Sequence, residues 1–131
     1  MKVAAKAPAG RMLLAVFFSV AGLLHFAFPD VYAGVMPPWL PWHAALVAIS
    51  GAAELAGGIG VLAPWPGVRR AAGWGLIALC VAVLPANVQM LQAGLAAGKP
   101  WWMLALLTVR LPLQALLIWW IWRVAARGRH R

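Results

Sequence analysis

Four long apolar runs alternate with short connections along the chain. The runs extend over residues 12–28, 44–63, 71–91 and 101–126. Each has roughly the 17–25 residues that a transmembrane helix requires. A helix also satisfies its own backbone hydrogen bonds in lipid. The pattern therefore predicts an all-α fold, a transmembrane four-helix bundle that forms one domain over residues 1–131.

The connection between the first two runs, residues 29–43, is rich in proline and tryptophan. Prolines disfavour a continuous helix, and aromatic rings such as those of Tyr32, Trp39 and Trp42 are typical of the lipid headgroup level. We predict an interfacial loop that caps the outer end of the bundle. A signal peptide cleaved after Ala33 is the alternative for the first run, but the three further spans favour a transmembrane helix.

The composition supports a lipid environment. Hydrophobic residues make up 65% of the chain and charged residues only 10%, whereas a soluble domain has about 25% charged residues. The net charge of +9 does not indicate nucleic-acid binding, because the basic residues lie at the ends of the apolar runs. We therefore expect the lipid bilayer, and no nucleic acid, as a partner.

The basic residues also predict the orientation of the chain. Nine of the eleven lie in the two tails and the second connection, one lies in the third connection, and one lies inside a span. Basic residues accumulate on the cytoplasmic side of membrane proteins, so both termini should be cytoplasmic. The nine are Lys2, Lys6, Arg11, Arg69, Arg70, Arg123, Arg127, Arg129 and Arg131.

Six polar or ionisable side chains lie inside the predicted spans. Such residues are costly in lipid, usually face the bundle interior and often have a function. We expect five of them to converge in a ligand pocket in the outer half of the bundle, and Gln89 to point elsewhere. The five candidate ligand-binding residues are His25, Glu54, Asn87, Arg110 and Gln114.

Glu54 and Arg110 have matching depths in this arrangement. At about 1.5 Å per residue, they lie about 15 Å and 13–14 Å from the outer ends of their helices. The sequence therefore predicts an ion pair between them. Two interpretations stay open: a structural pair that locks the helices together, or part of a polar pocket with walls of Phe26, Val83, Leu84 and Leu106.

Helical spacing adds two expectations about packing. Small residues share a face with Glu54 and should allow a close helix contact; they are Ser50, Gly51, Gly57 and Gly58. Pro85 and Pro112 should interrupt the third and fourth spans and free the carbonyls four residues earlier.

Several chemistries find no support in the sequence. Cys80 is the one cysteine, so the chain has neither a disulfide nor a CxxC pair. No histidine–carboxylate cluster predicts a metal site, and no nucleophile or phosphate-loop motif occurs. For His25 a structural hydrogen bond is the alternative to ligand binding, and haem would require His43, which lies in or beside the loop.

The same residues occur in an order that resembles the DoxX family of small four-helix bacterial membrane proteins. The resemblance extends from about Val16 to Trp122. It depends on five motifs: His25-Phe26 with Pro29 and Tyr32, Met36-Pro37-Pro38-Trp39-Leu40-Pro41, Ser50-Gly51 with Glu54-Leu55 and Gly58, Pro85-Ala86-Asn87-Val88-Gln89-Met90, and Arg110-Leu111-Pro112-Leu113-Gln114.

This resemblance implies a location in the bacterial inner membrane and a link to redox chemistry. Relatives of that kind are associated with quinone-linked oxidation and with membrane oxidoreductase complexes. It suggests a quinone that accepts hydrogen bonds from Arg110, Asn87 or His25, with Glu54 as a proton carrier. The absence of a cysteine pair argues against thiol chemistry by this chain alone.

Three hypotheses about function follow. The first is a redox-associated subunit that binds a quinone or a similar small molecule, with a membrane oxidoreductase as partner. The second is a small proton-coupled transporter that uses Glu54, although an Arg110 partner would hold that carboxylate ionised. The third is a non-catalytic protein that stabilises another membrane protein. Assembly with a second copy is compatible with all three, and whether the chain is an enzyme stays open.

Overall fold

The fold is an all-α bundle, as the sequence predicts. The computed structural model describes residues 9–34, 36 and 38–127, and these contain helices but no strand. The five α-helices are α1 (Ala9–Ala27), α2 (Pro29–Gly34), α3 (His43–Gly60), α4 (Pro66–Ala96) and α5 (Trp101–Ile121). A π-helical turn, Trp122–Ala126, continues α5.

Four of these helices are long and apolar enough to cross a membrane. They are α1, α3, α4 and α5 together with its π-helical turn, and they correspond to the four predicted spans. The protein is therefore a multi-pass membrane protein.

The proline-containing segments differ from the prediction. Pro85 and Pro112 lie inside α4 and α5, which continue past them, so the predicted interruptions are wrong. An interior proline removes one backbone donor, and neighbouring helices in a membrane protein can satisfy the freed carbonyl. The connection after α1 also contains a helix, because Pro29 suits the first helical position and Asp30 lies in the first turn of α2.

The long helices form an open row. α1 packs against α3, α3 against α4, and α4 against α5, whereas α1 and α5 hardly touch each other. The buried core lies between α1, α3, α4 and the end of α5, and contains Leu14, Ala15, Phe18, Val61, Leu76, Cys80, Ile121 and Ala125.

The two ends of the bundle differ in charge. At one end, called the basic end below, five arginines surround the start of α1, the α3–α4 turn and the end of α5: Arg11, Arg69, Arg70, Arg123 and Arg127. The other end, called the cap end, carries α2, which packs against α3. Four further basic residues of the predicted topology and one loop proline lie outside the described residues: Lys2, Lys6, Arg129, Arg131 and Pro37.

Candidate functional site

Glycines bring α1 and α3 into close contact below the cap end. A Cβ atom added to Gly22 would lie 2.6 Å from the carbonyl oxygen of Gly51 and 2.8 Å from the backbone nitrogen of Leu55. A Cβ atom on Gly51 would lie 2.7 Å from the Cβ of His25. The prediction that small residues beside Glu54 allow a close helix contact is confirmed.

The side chains of His25 and Glu54 meet across this contact. Nδ1 of His25 lies 2.9 Å from Oε1 of Glu54, and each side chain is 13% exposed. Nδ1 also lies 2.8 Å from the carbonyl oxygen of Ala21. A carbonyl can only accept, so Nδ1 carries a hydrogen and donates it there.

The geometry leaves Glu54 incompletely bonded. Its Oε1 is buried and accepts no hydrogen bond, although it lies at ion-pair distance from His25. The two observations agree because the Nδ1 hydrogen points to Ala21 rather than to the carboxyl group. This carboxyl oxygen can therefore take up a proton or accept a new hydrogen bond without losing an existing one.

The short helix α2 covers the pair. The ring of Tyr32 stacks on the imidazole of His25 with 3.9 Å between centroids and 20° between planes. The prediction of a cap over the bundle end therefore agrees with the structure, but Tyr32 has a specific contact that an interfacial position alone does not indicate. Trp39 and Trp42 are exposed, as expected for side chains at the headgroup level.

Arg110 and Asn87 form a second polar contact, between α5 and α4. Nη2 of Arg110 donates to Oδ1 of Asn87 over 3.2 Å. Asn87 is buried, whereas Arg110 is exposed on the surface of the bundle. The favoured inward orientation of Asn87 is therefore confirmed.

Gln114 lies one turn further along α5. Its Nε2 donates over 2.9 Å to the carbonyl oxygen of Cys80. We predicted that Pro85 frees the carbonyl of Val81. The acceptor of the Gln114 hydrogen bond is instead the preceding carbonyl, that of Cys80.

The predicted ion pair between Glu54 and Arg110 is wrong. In the described part of the chain, Glu54 pairs with His25 and the hydrogen-bond partner of Arg110 is Asn87. Matching depth along two helices does not determine which faces meet, because α3 and α5 are separated by α4 in the row.

The five candidate residues accordingly form separate groups rather than one bonded cluster. His25 and Glu54 join α1 to α3, Asn87 and Arg110 join α4 to α5, and Gln114 bonds the α4 backbone. Their role in ligand binding stays a prediction.

A groove lies where the row of helices stays open between α1 and α5. It has a volume of about 510 Å³, and Arg110 and Gln114 are its polar lining residues. The apolar lining residues are Phe17, Leu113, Leu116, Leu117, Trp119 and Trp120. We call this the α1/α5 groove.

A second groove provides a comparison on the surface of α1 and α3. It has a volume of about 350 Å³, and it has no ionisable side chain in its lining. Neither groove includes the predicted wall residues Phe26, Val83, Leu84 and Leu106. Phe26 and Leu106 are exposed on the outside of the bundle.

Sequence reasoning missed the apolar part of the α1/α5 groove. Phe17, Trp119 and Trp120 were not among the residues that the sequence assigned to a site. Apart from Thr108, Arg110 and Gln114, α5 consists of apolar and aromatic residues, and this pattern does not distinguish a lipid-facing residue from one that lines a groove.

Nothing in the described residues suggests a metal centre. They contain no group of three or more histidine, cysteine, aspartate or glutamate side chains that could hold an ion.

The comparisons with known proteins identify a family without a described function. The family described as "Domain of unknown function (DUF8561)" matches residues 14–125, so the chain belongs to this family. No curated protein and no solved structure matches the chain. The resemblance to the DoxX family stays a prediction.

Proposed function

For this member of a family of unknown function, we propose a redox-associated membrane subunit that binds a quinone, or a similar amphiphilic molecule, in the α1/α5 groove. The observation that carries the proposal is the position of Arg110. This cation lies nine residues inside α5, lines the groove, and has Asn87 as its one bonding partner among the described residues.

At this depth, an arginine whose described partner is a single neutral amide needs further polar partners. Insertion scales give a cost of about 2.5–3.5 kcal/mol for a charged side chain at the centre of a transmembrane helix. A guanidinium has five N–H donors, and the bond to Asn87 uses one. A quinone carbonyl oxygen can accept from the remaining donors, and the amide of Asn87 fixes the orientation of the guanidinium.

The rest of the groove suits the apolar part of such a ligand. Binding sites for small molecules commonly have volumes of about 300–1,000 Å³, with mostly apolar walls and a few polar groups. The α1/α5 groove has this volume and opens toward lipid, so a hydrophobic tail can enter sideways. The redox association itself rests on the resemblance to DoxX proteins, which also suggests a membrane oxidoreductase as partner.

Quinone retention after purification in mild detergent tests this proposal. We expect the unaltered protein to carry quinone, and Arg110→Leu and Gln114→Leu to lose most of it. Gln89→Leu is the matched control, because it also removes an amide from a span but lies outside the groove. Equal retention in all four proteins would reject the site.

The His25–Glu54 pair favours proton-coupled transport as a second candidate function. An Arg110 partner would hold Glu54 ionised, but its partner in the structure is His25, and histidine side chains commonly act as proton shuttles. Glu54→Gln should then abolish proton flux in reconstituted vesicles, whereas Arg110→Leu should not. The quinone proposal predicts the reverse sensitivity for ligand retention.

The proposed location is the bacterial inner membrane, with the basic end on the cytoplasmic side. The support is the excess of basic residues at that end. Reporter fusions after Arg131 and within residues 93–99 should report cytoplasmic and periplasmic positions respectively. A periplasmic fusion at the C-terminus would contradict this orientation.

A further inference from the structure

The π-helical turn at the end of α5 packs closely against α4. The backbone nitrogen of Arg127 donates to the carbonyl oxygen of Trp122 over 2.8 Å. Ala125 and Ala126 are buried, and a Cβ atom on Gly73 would lie 2.7 Å from the nitrogen of Ala126. Such π-helical turns occur frequently at functional sites.

Two arginines of this segment lie on aromatic rings. The guanidinium of Arg123 lies 5.5 Å from the centre of the Trp119 ring, and that of Arg127 lies 5.5 Å from the Trp122 ring. Both arginines are exposed. The rings orient the guanidinium groups, and neither group donates to an acceptor in the described part of the chain.

Neither acidic side chain of the chain lies where it could neutralise these two cations. Its two acidic residues are Asp30 and Glu54. Asp30 lies in α2 at the cap end, and Glu54 pairs with His25. Within residues 9–34, 36 and 38–127, no acidic side chain therefore neutralises Arg123 or Arg127.

Two other arginines at the basic end have a different environment. Arg11 donates to the carbonyl oxygen of Val61, and Arg69 donates to that of Ala63. Both acceptors lie just after the end of α3, where the helix dipole favours cations. Arg123 and Arg127 differ from these two arginines. Aromatic rings orient their guanidinium groups, and the N–H groups donate to no acceptor in the described part of the chain.

We propose that Arg123 and Arg127 bind the phosphate of an anionic phospholipid in the leaflet that meets the basic end. Guanidinium groups bind phosphate through paired, charge-assisted hydrogen bonds, and tryptophans favour the headgroup level. The exposed rings of Trp119 and Trp122 provide an apolar surface for the first part of the acyl chains. The site adjoins the α1/α5 groove through Trp119, but the lipid preference can be measured without any quinone.

Spin-labelled lipids in phosphatidylcholine vesicles containing the full-length protein test this site. We compare the association of phosphatidylglycerol with that of phosphatidylcholine in about 0.5 M salt, where the screening length falls to about 4 Å. Arg123→Gln and Arg127→Gln should each reduce the preference for phosphatidylglycerol about fivefold. Arg70→Gln, which removes the same charge at the same end, should change it less than about twofold because no ring in the described residues orients Arg70.

A charge-conserving variant distinguishes a specific phosphate site from nonspecific electrostatic attraction of anionic lipids. Arg123→Lys keeps the charge but loses the planar donor pair, so we expect it to weaken the preference too. Equal effects of Arg70→Gln and Arg123→Gln, or no effect of Arg123→Lys, would overturn the proposal. Displacement of the labelled lipid by millimolar inorganic phosphate would assign the site to free phosphate instead, and we expect no displacement.

Discussion

Ionisable side chains are accommodated differently at two places in the bundle. One is the close contact between α1 and α3, and the other is the open side between α1 and α5. Each places ionisable side chains within the membrane-spanning part of the bundle. Glycines let α1 and α3 approach until His25 and Glu54 pair with each other. α5 has no glycine, and its charged side chain, Arg110, faces the groove with an amide as its partner.

The four spans also differ in how much of their surface is buried inside the bundle. About 22% of the span residues in α1, α3 and α4 are buried, compared with 6% in α5. A helix that hides so few of its residues contributes little to the core along most of its length. Its surface is therefore available for a ligand, a lipid or another protein.

The largest expected effect comes from the core residue Leu76, which contacts Gly57 of α3. It is 1% exposed, whereas Leu116 on α5 is 58% exposed. Leu76→Ala should lower the free energy of unfolding by about 2–5 kcal/mol because it leaves a cavity, and Leu116→Ala by less than about 1 kcal/mol. Detergent-unfolding titrations in mixed micelles measure both, and similar losses would show that α5 is as tightly packed as the core.

A smaller effect is expected from forcing α1 and α3 apart. Gly22→Ala should cost about 1–3 kcal/mol, since the new methyl group meets backbone atoms that cannot move aside. Gly75→Ala is the matched control, because its Cβ has no atom within 4 Å, and a better helix former should make it neutral or slightly stabilising. A neutral Gly22→Ala would contradict the tight contact.

The smallest effect concerns the pairing of charges. A double-mutant cycle between His25→Leu and Glu54→Gln should give a coupling energy of about 1 kcal/mol. The same cycle between Glu54→Gln and Arg110→Gln should be additive within about 0.5 kcal/mol. Strong coupling in the second cycle would restore the ion pair that the sequence suggested.

The spans were predictable from the sequence because hydrophobic length is a local property. All four predicted spans correspond to helices in the structure. The pairing of polar residues was not predictable, because it depends on which helices are neighbours and how they slide along each other. Glu54 illustrates this. Its pairing with Arg110 was predicted on the assumption that the outer ends of all helices lie at the same depth. Its partner is instead His25, which lies only two residues from the end of α1.

The candidate site was predicted in its residue types but not in its arrangement. Arg110 and Gln114 share a helix face because of their spacing, and they do line one groove. Their apolar neighbours could not be inferred, because nothing in the sequence indicates that α1 and α5 fail to close the bundle. The contact of Tyr32 with His25 likewise depends on the helix α2, which a proline-rich segment does not suggest.

Photoaffinity labelling with an azidoquinone tests the central claim most directly. We predict that the label attaches to residues that line the α1/α5 groove, within residues 110–120 or at Phe17, and that Arg110→Leu removes it. The groove on α1 and α3, with no charge in its lining, is the internal control and should stay unlabelled. Labelling of that second groove, or labelling that Arg110→Leu leaves unchanged, would contradict the proposal.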